Sequence, residues 1–157
     1  MYLLRRLGGL FLIILIQFTL LDYLSLSRYV DLILVFLFFY LVSSNTKYVY
    51  FLAFIGGLFF DLFSAHPLGS KTFLYLAFVF ILISIRKNLL RNFGLSSFLS
   101  LLVVAFTIFE ISRITFFVAL GLEASFSILT LGRIFINILI ASLVALIRRK
   151  RFFKKTT

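Results

Sequence analysis

Apolar stretches recur along the whole chain, broken only by short polar turns, and this repetition limits the possible folds more than any other feature. A soluble domain carries roughly 25% charged residues. Here only 13% are charged and 63% are hydrophobic, with a mean hydropathy of +1.19. In hydrocarbon every backbone N–H and C=O needs a partner inside the protein, which leaves helices and closed barrels as the spanning structures. No segment alternates with the period of two that a barrel strand requires. The expected fold is therefore an all-α integral membrane protein with six transmembrane helices in one bundle.

The spans are predicted at about 7–26, 30–44, 48–64, 71–85, 94–120 and 125–147, forming a single polytopic domain over 1–157 with a basic tail at 148–157. At a rise of about 1.5 Å per residue, the second and third are slightly short for a core of about 30 Å, which suggests thinning or a partner. The fifth is long enough to tilt or to break near its outer end. An alternative at the start is a signal peptide, "MYLLRR" with an apolar stretch and then "SLS". An uncleaved first span fits the charge distribution better.

The formal charge of +11 raises nucleic acid as a partner, but its distribution points to topology instead. Six spans put both termini on one side. Twelve of the sixteen lysines and arginines then share that side: Arg5, Arg6, Lys47, Arg86, Lys87, Arg91 and six in the tail. Arg28 and Lys71 lie opposite, and Arg113 and Arg133 lie within spans. By the positive-inside rule the termini are cytoplasmic. The tail "RRKRFFKK" reads as an anchor on anionic lipid, with an acidic partner as the alternative.

On this topology all five acids, Asp22, Asp31, Asp61, Glu110 and Glu123, fall in the outer half. Helix-end charges account for some of them. Because an unpaired charge at membrane depth costs several kcal/mol, a network is expected among Asp22, Asp31, Asp61, Lys71, Glu110, Arg113 and Arg133. In "GGLFFDLFSAHPLGSK" (56–71), Ala53, Gly57 and Asp61 share one helix face, where small residues admit a second helix. Asp61 would accept hydrogen bonds from Lys71, Ser64 or the N–H groups of the next turn. Pro67-Leu68-Gly69 has the chemistry of a chain reversal, and His66 lies in that turn. Glu110 and Arg113, three apart, form an expected ion pair. Arg133, Asn137, Ala141 and Ala145 make a stripe at a period of four, suited to packing or to a partner groove.

Chemistry finds little purchase. With no cysteine there is neither a disulfide nor a thiolate nucleophile. "GGLFFD" lacks the GxGD-like sequence of an intramembrane aspartyl protease, and the single histidine is in a loop, not within a span. No metal-ligand cluster, phosphate cradle or cofactor motif occurs, so the chain is expected to be non-enzymatic and to use no cofactor.

The segments "RYVDLILVFLFFYL" (28–41) and "FIGGLFFDLFSAHPLGSKTFLYLAFVFIL" (54–82), followed by "RKN" (86–88), resemble the rod shape-determining protein MreD family. The matching positions are Asp31, Leu32 and Tyr40 in the second span, and Gly57, Asp61, Leu68 and Gly69 around the third and fourth. Tyr29-Val30 departs from the family, which often has proline before the aspartate. The resemblance implies a plasma-membrane component of the bacterial cell-elongation, peptidoglycan-synthesising complex. It implies partners too: an MreC-like bitopic protein, the MreB filament and the RodA–penicillin-binding protein synthase. It also implies likeness to the S-component fold of energy-coupling-factor transporters. A vitamin-binding S-component is therefore the main rival, with Asp31, Asp61, Glu110, Arg113 and Arg133 lining a pocket. A small ion or drug transporter using Glu110 as a proton relay is a third reading.

Overall fold

A computed structural model describes residues 2–21, 23–26, 29–43, 48–64, 67–89, 95–121 and 127–147. Among them there are six α-helices and no strand: α1 (Tyr2–Ile16), α2 (Leu32–Ser43), α3 (Val49–Phe63), α4 (Ser70–Leu89), α5 (Leu95–Ala119) and α6 (Ile128–Ile147). The all-α class and the helix count agree with the expectation. Ser97–Ala119 and Ile128–Ile147 are long and apolar enough to cross a membrane, while Leu7–Leu21, Leu32–Val42, Val49–Phe63 and Ser70–Ile85 are shorter apolar helices. The fifth helix runs without a break from Leu95 to Ala119. The chain divides into two units, Met1–Phe80 and Ile81–Thr157.

In the first unit α1, α2 and α3 pack on one another. α2 is the central element, with Ile33, Leu34, Leu37, Phe38 and Leu41 at most 1% exposed. A helix apolar on every face belongs in an interior, and α2 follows that rule.

The first helix ends earlier than the sequence suggests. It passes into a turn of π-helix at Gln17–Leu21, and a turn with Ser25 at φ +55° comes before residue 26. The reason is Gln17, which is 1% exposed. The wider turn aims its amide at the start of α2, where Nε2 donates to the Val30 carbonyl at 2.8 Å and Oε1 accepts from the Leu32 N–H at 2.9 Å. Single π turns of this kind re-aim a side chain at the expense of local regularity.

The second unit contains the packed pair α5 and α6. Ser127 caps α6, and its N–H donates to the Thr130 hydroxyl at 3.4 Å, one half of a capping box. Asn137 donates to the carbonyl of Arg133 one turn earlier, at 2.9 Å. The buried face of α6 comprises Thr130, Asn137, Ala141 and Ala145.

Candidate functional site

The polar residues of the first unit meet around the N-termini of α2 and α4. Each helix start leaves backbone N–H groups without an intrahelical acceptor, and these need one when buried. In α2 the need is met locally. Asp31 is the N-cap, its carbonyl accepting from Val35, and its Oδ1 accepts from the Leu34 N–H at 3.0 Å. Gln17 takes the Leu32 N–H.

α4 cannot cap itself. Its N-cap position is Gly69, whose carbonyl accepts from Phe73 and whose φ is +89°, a left-handed conformation that favours glycine. Without a side chain there, the second and third N–H groups of α4 remain open. Asp61 fills the gap from the last turn of α3. Its Oδ1 accepts from the Lys71 N–H at 2.9 Å and from Ser70 Oγ at 3.3 Å. Its Oδ2 accepts from the Thr72 N–H at 3.0 Å and from Thr72 Oγ1 at 2.7 Å. At 3% exposure Asp61 is enclosed by protein.

α3 comes close enough for this because Gly57, one turn before Asp61, has no side chain. A Cβ there would collide with Thr72 Cα and sit 2.8 Å from Thr72 N. Thus Ala53, Gly57 and Asp61 are all buried, and Gly57 and Asp61 meet the start of α4.

Lys71 joins the two caps. Its backbone N–H belongs to Asp61, but its ammonium lies 3.7 Å from Asp31 Oδ2 and over the Phe60 ring, 4.6 Å from the centroid. Tyr75, one turn along α4, donates its hydroxyl to both oxygens of Asp31 at 2.8 Å. Two carboxylates thus face one ammonium and two helix N-termini, each equivalent to about half a positive charge, so the cluster is close to neutral. That balance lets it remain buried. Tyr75→Phe removes the phenol while Asp31 keeps Leu34 and Lys71. We expect a loss of about 1.5 kcal/mol, read from thermal or denaturant unfolding in detergent, with no change in helix content.

Of the expected network, Asp31, Asp61 and Lys71 come together here, and Gln17, Ser70, Thr72 and Tyr75 are additions. Ser64 is not a donor to Asp61. Its Oγ is buried and makes no hydrogen bond among the described residues. In the second unit Glu110 and Arg113 form the expected pair, with Nε 2.7 Å from Oε2. Arg133 is half-buried, and Thr130 takes the buried position at that end of the α6 stripe. Asp22, Arg28, Lys47, His66, Arg91, Glu123 and the tail 148–157 lie outside the described residues, as do the side chains of Arg5, Arg6, Arg86 and Lys87. No group of three or more metal-ligand residues occurs among the described residues.

Comparison with family models, with characterised proteins and with solved structures finds no match to this chain.

Proposed function

We propose that the chain is a non-enzymatic, six-span component of the bacterial plasma membrane, with both termini cytoplasmic, that serves the cell-elongation complex by docking partner transmembrane helices. The observation that carries this reading is the use made of the buried polar groups. Asp31, Asp61, Lys71, Tyr75 and Gln17 are committed to helix ends and to one another. A carboxylate whose oxygens are both engaged by backbone N–H and hydroxyl donors acts as a fastener. A reagent would need an open lone pair beside a substrate. The resemblance of residues 28–88 to the MreD family supplies the biological setting: an MreC-like bitopic protein as first partner, then the MreB filament and the RodA–penicillin-binding protein synthase.

The α3 face of Ala53, Gly57 and Asp61 is filled by the chain itself, and so is the Asn137, Ala141 and Ala145 face of α6. Docking therefore falls to a face left open. On α6, Leu131, Phe135, Leu139 and Leu143 are all exposed at a period of four. Such a ridge packs against a partner helix by interdigitation.

The test is copurification from membranes in mild detergent, with proteins and small molecules identified by mass spectrometry. The expected companion is a single-span protein, lost from Phe135→Ala/Leu139→Ala while helix content and thermal midpoint hold. A bound small molecule that raises the thermal midpoint, with no protein companion, would favour the vitamin-binding S-component instead.

A further inference from the structure

We infer that the first unit is matched to hydrocarbon markedly thinner than an ordinary bilayer, so that short-chain or thinned lipid is the partner its apolar surface fits. This rests on the membrane-spanning reading above. The apolar helical segments of α1 and α3 are Leu7–Leu21 and Val49–Phe63, and that of α4, which starts in the first unit and runs past Phe80, is Ser70–Ile85. At about 1.5 Å per residue each covers only about 22–24 Å, against about 30 Å of hydrocarbon. The segments of α5 and α6, Ser97–Ala119 and Ile128–Ile147, cover about 30–35 Å by the same measure. One chain thus holds two different hydrophobic lengths.

The short segments cannot be lengthened in place. On the inner side the sequence sets Arg5-Arg6, Lys47 and Arg86-Lys87 next to them. Lysine and arginine in general can lay their stems along apolar surface and keep the charge in water. The outer side has no such slack. Gln17, Asp31, Asp61 and Lys71 are locked to one another and to the starts of α2 and α4. Their depth is fixed by the fold. Tilting the helices would shorten their reach across the bilayer still further.

Surface on these helices is plainly apolar: Phe11 and Leu15 on α1, and Phe51, Phe54, Leu58 and Leu62 on α3 are all exposed. Lipid has to meet that band. Its helical length stays below the ordinary hydrocarbon thickness, so the leaflet thins toward the first unit's outer end.

The test uses the full chain reconstituted in phosphatidylcholine vesicles with monounsaturated acyl chains of about fourteen to about twenty-two carbons. Thermal midpoints are followed by circular dichroism. The expected optimum lies at about fourteen to sixteen carbons, with a fall of about 5 °C or more by about twenty. An optimum at about eighteen carbons or longer, or a flat profile, overturns the inference.

Single cysteines at the exposed positions Tyr48 and Leu68, labelled from outside the vesicles with an impermeant maleimide, separate the two ways of failing. Labelling at opposite faces with a flat thickness profile overturns thickness matching alone. Labelling at the same face overturns the spanning of α3, and the inference with it.

Discussion

Asp61→Leu is expected to lower the stability of the folded chain by about 3–5 kcal/mol. The substitution keeps the bulk and apolar character of the α3 end, and by composition alone it would suit lipid better. What it removes is the acceptor for Ser70 Oγ, Lys71 N, Thr72 N and Thr72 Oγ1. The hydroxyls can turn toward other acceptors. The two backbone N–H groups cannot, and each costs about 1–3 kcal/mol when left buried and unpaired. The positive end of α4 also loses its counter-charge, and Lys71 is left with Asp31 alone as a carboxylate neighbour.

Asp61→Asn should cost roughly half as much. Its carbonyl oxygen can still take one side of the arrangement, but its NH₂ must then face the other backbone donor. Unfolding in detergent, followed by circular dichroism, reads both variants. A leucine variant as stable as the parent, or an asparagine variant less stable than leucine, would remove Asp61 as the fastener of α4.

How much of this was legible beforehand depends on how local each contact is. Apart from the end of the first, the helix positions were, because apolar runs and polar breaks are written in the chain directly. So were the inward face of Asp61, from its spacing to Gly57, and the turn at Gly69. The partner of the Lys71 side chain was not. Nearness in sequence pointed to Asp61, yet the backbone N–H groups of α4 already occupy both oxygens of Asp61, so the ammonium turns to Asp31, forty residues away.

Tyr75 sits in an apolar run, and nothing in the sequence around it singles it out. Only the fold brings Asp31 to its hydroxyl. Gln17 was hidden by geometry, since a π turn breaks the 3.6-residue period on which face assignment rests. On α6 the stripe holds at Asn137, Ala141 and Ala145 and departs only at Arg133, which is half-buried. A step of four drifts slowly around a helix that repeats every 3.6 residues, and at this end Thr130, seven residues before Asn137 and close to two full turns away, takes the buried position.

Gly57→Val is expected to cost about 3 kcal/mol, with Gly57→Ala smaller at about 1–2 kcal/mol. In an isolated helix both changes would be tolerated, and alanine would help by about 1 kcal/mol. The expected sign reverses because the added carbon meets Thr72 Cα and N, which are backbone and cannot rotate aside. α4 must back away from α3 as a body. That retreat lengthens the same Thr72 N–H contact that Asp61 holds at 3.0 Å. The two residues therefore act as one device, the glycine setting the distance and the carboxylate closing it.

A double-mutant cycle tests the coupling. Gly57→Ala combined with Asp61→Asn should cost less than the sum of the single changes by about 1 kcal/mol, because the first already loosens the contact that the second removes. Additivity to within about 0.5 kcal/mol would mean that α4 stays in place when Gly57 is filled. In that case the close approach of the two helices would not be what lets Asp61 reach its donors.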